Sequence, residues 1–321
     1  ESRPFSAALS QFNERYFMNR QRRIVVSLFL LTALSLFSAC SLIVDWSVSS
    51  DRKNAGLAEK SIQVGDYHIA YLEGGSGKGP AVVLLHGFGA NKDNWLHFAR
   101  YLKDGYHVVI PDLPGFGDSS KISAQKYDVD TQTARIHEFA AKLGLMKFHI
   151  AGNSMGGVIS GLYAANYPDD VLSLGLLNPG GIIDREPSGL SRSLASGVNP
   201  LVIEKPADFD RMVDFLFARP PVIPSFAKSV LVDRAMDASD FNKKVFAEAT
   251  PRDQLEKRLP DIKVRTLVIW GDTDRIFPPS SAYVIGGAVK NAQILIMKDC
   301  GHIPMVERPE ETARHYIAFI Q

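Results

Sequence analysis

Hydrophobic positions along this chain fall into three regimes. The first is an unbroken apolar run, Ile24 to Val44, 21 residues without a charge. At 1.5 Å per helical residue it reaches about 30 Å, the thickness of a bilayer's hydrocarbon core. The second regime covers residues 61–181 and 260–321, where short β-rich runs alternate with stretches of helical periodicity. Ser61–Val64 and Tyr67–Leu72, joined by Gly65-Asp66, read as a hairpin. Ala81–Leu85, His107–Ile110, Phe148–Ala151, Leu172–Leu177, Thr266–Trp270 and Gln293–Met297 read as buried strands, and helices are predicted near 93–103, 129–143, 154–167, 280–290 and 309–320. Strands that are apolar throughout suit a parallel sheet covered on both faces, and their alternation with helices implies right-handed crossovers. The third regime, 182–259, breaks that rhythm with Pro, Phe and Met at irregular spacing. It is predicted to be a helical cap over the carboxyl ends of the strands.

The flanks of the apolar run give it an orientation. Arg20, Arg22 and Arg23 precede it, while Asp45 and Trp46 follow. A basic flank stays cytoplasmic, so residues 24–44 read as a single-pass anchor with a basic tail at 1–23 and the bulk of the chain outside, in a bacterial periplasm. Residues 45–60 read as a juxtamembrane segment, helical through its polar stretch, 51–60. A cleaved signal peptide and a lipoprotein signal ending at Cys40 are the competing readings; the first usually has a shorter apolar region, and Phe37 weakens the second. Met18, followed by Asn19 and the basic cluster, would itself begin a chain, and residues 1–17 are given no function. Ser35 and Ala39 form a small-xxx-small pair that suits a homodimer through this helix; crosslinking in native membranes that captured only monomers would overturn it.

Composition narrows the classes further. At 321 residues, 45% hydrophobic and 22% charged, the chain supports one large core with an insertion. Thirty-six basic against thirty-five acidic residues leave a net charge of +1, so no global field favours nucleic acid as a partner. Two cysteines, Cys40 and Cys300, make no disulfide framework, and no Cys-x-x-Cys pair suggests zinc or redox chemistry.

The candidate chemistry lies where strands end. Gly152-Asn153-Ser154-Met155-Gly156 follows one predicted strand and opens a predicted helix. A nucleophile on so sharp a turn takes a strained backbone, which glycines on either side permit, and the helix amino terminus points N–H groups at developing negative charge. A serine hydroxyl needs a base at neutral pH, and His302 follows the last strand. Trp270-Gly271-Asp272-Thr273-Asp274 offers two carboxylates after the seventh strand; Asp274 is expected to orient His302 and Asp272 to cap the turn. His86-Gly87-Phe88-Gly89 follows the third strand, where backbone N–H groups of Phe88 and Met155 would form an oxyanion hole and His86 would support the loop.

With Pro111-Asp112-Leu113-Pro114-Gly115-Phe116-Gly117 added, these motifs, in the order Ser, Asp, His, resemble the α/β-hydrolase family over about residues 61–181 and 260–321. The resemblance implies an α/β fold: an eight-stranded, mostly parallel sheet with helices on both faces and a variable cap that selects substrate. Asn153 and Met155 also resemble hydrolases of carbon–carbon bonds, which are soluble catabolic enzymes, whereas haloalkane dehalogenases and epoxide hydrolases place aspartate where Ser154 stands. The chain is also similar to single-pass, membrane-anchored bacterial lipolytic enzymes of the phospholipase A, lysophospholipase and carboxylesterase kind. That likeness implies acyl-ester hydrolysis of glycerophospholipids or lysophospholipids through an acyl-serine, with membrane lipids as substrate. No cofactor and no metal are expected, since the oxyanion hole does the electrophilic work. Val213, Phe215, Leu216, Phe217, Val222, Ile223 and Phe226 are candidates to contact acyl chains, against the reading that they pack the cap onto the core. A short-chain carboxylesterase is the alternative enzyme, and a non-catalytic ligand-binding protein on the same fold is the alternative class.

Overall fold

The computed structural model describes residues 40–249 and 253–321. Its eight strands are β1 (Leu57–Val64), β2 (Tyr67–Gly75), β3 (Ala81–Leu85), β4 (His107–Pro111), β5 (Phe148–Asn153), β6 (Val171–Leu177), β7 (Thr266–Gly271) and β8 (Ala292–Met297). They form one sheet in the order β1-β2-β4-β3-β5-β6-β7-β8. β2 pairs antiparallel with β1 and β4, and every other neighbouring pair is parallel.

Residues 40–54 are helical (α1). Around the sheet lie α2 (Leu96–Ala99), α3 (Val129–Lys142) and α4 (Met155–Asn166). The cap carries α5 (Gly189–Ala195), α6 (Pro206–Leu216), α7 (Ser225–Asp237), α8 (Ser239–Glu248) and α9 (Gln254–Arg258). The chain then closes with α10 (Ser281–Ala288), α11 (Pro304–Glu307) and α12 (Pro309–Ile320). Among the described residues no helix is long and apolar enough to cross a membrane. The predicted span, 24–44, and the Ser35/Ala39 pair lie outside the described residues, apart from 40–44, which open α1.

Two expectations need correction. The juxtamembrane segment does not run to residue 60: Gly56, at φ +69°, turns the chain out of α1, and Leu57–Lys60 pair with Tyr71–Gly74 as the start of β1. The helix expected over 93–103 is a 3-10 turn, Lys92–Trp95, leading into the single turn of α2. After Ala99 the bonds tighten to i→i+3, Tyr101 N–H to Phe98 and Leu102 N–H to Ala99, and the helix stops.

The continuous apolar strands follow from burial on both faces. Val83, Leu85, Ile150, Leu174 and Val268 point to a core shared with residues of α3, α4 and α10. Val82, Leu84, Val108, Leu177 and Ile269 point to a second core shared with Trp95, Phe98, Ala313 and Tyr316. Strand side chains alternate between faces, so a sheet covered twice leaves no polar position in mid-strand. His149 on β5 and Ser173 on β6 are buried exceptions that satisfy each other, His149 Nδ1 lying 2.7 Å from Ser173 Oγ.

Burial, with Arg265 nearby, pushes the His149 imidazole down to about 4. Its folded pKa thus lies below its unfolded value of about 6.5, so the native state is fully favoured above that value and loses stability as pH falls toward 4. Acidification over that window is expected to cost up to about 3 kcal/mol through this group. Urea unfolding of wild type and His149→Gln at pH 7 and about pH 4.5 checks it. An equal pH dependence in both would remove the assignment.

Candidate active site

Ser154 sits between β5 and α4 at φ 55° and ψ −118°, a left-handed backbone that a non-glycine residue adopts only under constraint. Its N–H donates to Leu177 O at 3.1 Å, and its carbonyl accepts from Val158 and Gly180. The flanking glycines are required by close approach: a Cβ at Gly156 would lie 2.3 Å from Leu85 O, and one at Gly152 would lie 2.1 Å from Gly156 O. Met155 is the first residue of α4, so its N–H precedes the helix's own hydrogen-bond ladder.

His302 is held from three sides. Its Nδ1 lies 2.9 Å from Asp274 Oδ2, its N–H donates to Leu216 O at 2.8 Å, and its carbonyl accepts from Asn153 Nδ2 at 2.9 Å. The side chain next to Ser154 therefore fastens the elbow directly to the histidine loop. The ring also packs edge-on against Phe277, with centroids 5.5 Å apart.

Asp274 spends its acceptor capacity on that loop. Oδ1 accepts from the N–H groups of Ile276 and Phe277, while Oδ2 accepts from Asn178 Nδ2 at 2.7 Å besides His302. Asp272 instead accepts from Cys300 N–H at 3.3 Å, across the turn. Only one of the two carboxylates thus reaches His302.

The loop after β3 runs against the elbow, where a Cβ at Gly87 would lie 3.1 Å from Ser154 Cβ, and Phe88 lines the same cavity as Ser154. His86 is buried and neutral by geometry. Its Nε2 accepts from Leu113 N–H at 3.0 Å, so Nδ1 carries the proton and donates to Gly87 O at 2.8 Å. Burial pushes its pKa down, which keeps the ring neutral.

A cavity partly open to solvent starts at Ser154, Met155 and Phe88. Val129, Val158, Ile182, Leu190, Leu194, Leu201, Phe246 and Phe277 supply most of its wall. None of the seven cap residues expected to contact acyl chains lines it. Val213 is buried with Ile203, Phe209 and Val232 in a core of the cap's own, against which Phe217 and Ile223 pack. Leu216 and Phe217 also cover the second main core, and Phe215 faces an outer groove beside Arg275. Val222 is 99% exposed and Phe226 41% exposed. The apolar spacing along α6 marks the side facing α7 rather than the side facing substrate.

Two groups with no place in the sequence reading complete the site. Asn178, at φ 46°, positions the Asp274 carboxylate and also reaches Gly301 O at 3.4 Å. Its signal was available, because asparagine after a strand and before Pro179-Gly180 is a residue type that tolerates a left-handed backbone. Glu307 accepts from Gly301, Ala218 and Arg219 N–H groups, bolting the segment after α6 to the histidine loop.

A family profile described as alpha/beta hydrolase fold matches residues 80–309. The chain is 40% identical over 281 residues to Lipase 1 of Psychrobacter immobilis, covering 85% of this chain and 87% of that lipase. It is 33% identical over 282 residues to the monoacylglycerol lipase ABHD6 of Homo sapiens, covering 84% of each. A crystal structure of a membrane phospholipase A superposes with a TM-score of 0.87 at 47% identity, covering 93% of this chain and 98% of that one.

Proposed function

The chain belongs to the α/β-hydrolase family and is a lipase- and phospholipase-like member of it; from that premise we propose that it hydrolyses acyl esters of glycerophospholipids or lysophospholipids at Ser154. The observation that carries the reading is the apolar cavity opening directly at a serine on a strained elbow, with a carboxylate-bound histidine fastened to the same elbow.

In this mechanism Asp274 holds His302 Nδ1, leaving Nε2 to take the Ser154 proton as Oγ attacks the ester carbonyl. The oxyanion that forms is held by N–H groups of Phe88 and Met155, a contribution of about 3 kcal/mol per donor in comparable sites. His302 then protonates the departing glycerol oxygen, and the acyl group stays on Ser154 until water, deprotonated by His302, releases the fatty acid. The roughly ten apolar side chains of the wall would hold the acyl chain throughout, a site type that is mostly apolar with few polar groups.

Anchoring belongs to the same proposal. The uncharged run 24–44 with Arg20, Arg22 and Arg23 before it supports a single pass through a bacterial inner membrane, catalytic part periplasmic. The test is fatty-acid release by wild type and Ser154→Ala from phospholipids, lysophospholipids and short-chain esters. Release from the lipids that is lost in the variant is expected. Activity confined to short esters would leave a carboxylesterase and remove the lipid assignment.

A further inference from the structure

Two residues that line the cavity beside Ser154 carry acceptors that no described residue satisfies. Asp184, half-buried, lines both this cavity and the surface depression next to it, and its carboxylate makes no hydrogen bond or ion pair among the described residues. Gln254 Oε1 is buried without a partner, while the amide's other end, Nε2, donates to Asp130 at 3.4 Å. That contact fixes which end of the amide is the acceptor.

The two residues stand on segments fastened to each other. Glu256 N–H donates to Gly181 O at 2.9 Å, Ile183 N–H donates to Glu256 Oε2 at 2.8 Å, and Arg185 pairs with the same carboxylate. The neighbouring charges Arg185 and Glu186 are thus already engaged, Glu186 with Ser280. Asp184 alone of this stretch is left facing the cavity. Asp184 and Gln254 thus leave acceptors on two lining residues that a ligand's donors could satisfy.

We propose that Asp184 and Gln254 read the polar head of the substrate, selecting one that donates hydrogen bonds and carries no net negative charge: glycerol hydroxyls or a primary ammonium. This rests on the acyl-ester reading of the site. The head would lie at the junction of cavity and depression while the acyl chain fills the apolar wall. An anionic head meets the Asp184 charge, and a quaternary ammonium has no N–H to give.

The experiment compares kcat/KM on four substrates sharing one oleoyl chain: monoacylglycerol, lysophosphatidylethanolamine, lysophosphatidylcholine and lysophosphatidylglycerol. Wild type is expected to favour the first two, and Asp184→Asn to lower its preference for them over lysophosphatidylglycerol about tenfold, the worth of a hydrogen bond to a charged acceptor. A larger loss on monoacylglycerol identifies hydroxyls as the group read; a larger loss on the ethanolamine lipid identifies the ammonium. Gln254→Leu is expected to shift preference the same way. Ratios within one preparation are independent of how much of it is folded. Unchanged ratios in both variants, with long-chain turnover intact, overturn the head-group assignment alone; no turnover of any of the four by wild type overturns this inference, and the acyl-ester reading falls with it when diacyl phospholipids also go unhydrolysed.

Discussion

Asp274→Asn is expected to lower kcat for a long-chain acyl ester by about 10⁴, approaching the loss in Ser154→Ala, while Asp272→Asn stays within about tenfold of wild type. The difference lies in one hydrogen bond. Asp274 Oδ2 accepts from His302 Nδ1, which leaves Nε2 unprotonated and able to take the serine proton. An asparagine amide turned toward Asn178 and His302 offers an N–H where an acceptor is needed, so the ring adopts the other tautomer and loses its basic nitrogen on the serine side. Asp272 accepts only from Cys300 N–H across the turn, and an asparagine there keeps an acceptor oxygen. Steady-state kinetics of the three single variants, with Asp274→Asn/Ser154→Ala beside them, checks the assignment. The double variant is expected to be no slower than Ser154→Ala, because groups acting as a unit are not additive. An Asp272→Asn loss exceeding that of Asp274→Asn would exchange their roles.

That choice between two carboxylates was legible because position along the chain encodes it. Each reactive candidate follows an apolar run, and a parallel sheet brings all its carboxyl ends to one edge. Burial on both faces made β3 an uninterrupted Ala81–Leu85, readable to the residue. β1 was shortened in the reading, because Leu57–Lys60 alternate between faces at the sheet's edge and their polar members looked like the continuation of a helix.

The cap was the least legible part, for a physical reason. A helix such as α6 has an apolar stripe whose spacing reports that it packs against something, not what it packs against. Phe209, Val213 and Phe217 serve the cap's own core, and the cavity wall comes from Ile182, Leu190, Leu194, Leu201 and Phe246, spread over segments with no shared period. Asn178 and Glu307 were missed likewise, since their roles depend on partners 96 and 89 positions away in the chain. Which loops meet is a property of the assembled sheet.

Lys92→Met is expected to destabilise the fold by about 3–5 kcal/mol, the largest single loss of stability outside the apolar cores. Lys92 is 1% exposed, with Nζ 2.8 Å from Asp112 Oδ2 and further bonds to Asp118 and Glu59. Burial works against the ammonium, but Asp112 and Asp118 more than offset it and its pKa is raised. Methionine fits the volume yet leaves Asp112 wholly buried and without a cation, its remaining bonds coming from the Lys92 and Asp118 N–H groups. An uncompensated buried charge is far more costly than the pair is favourable, so Lys92→Met/Asp112→Asn is expected to recover part of the loss by removing that charge while keeping an acceptor oxygen for one of the two N–H groups. The effect should also reach catalysis. Asp112 adjoins Leu113, whose N–H fixes His86, and His86 in turn holds Gly87 beside Phe88. Urea midpoints of the single and double variants measure the first effect, and kcat at a temperature where all remain folded measures the second. A Lys92→Met loss below about 1 kcal/mol would place this pair with solvent-screened surface bridges and sever the link from Asp112 to the oxyanion loop.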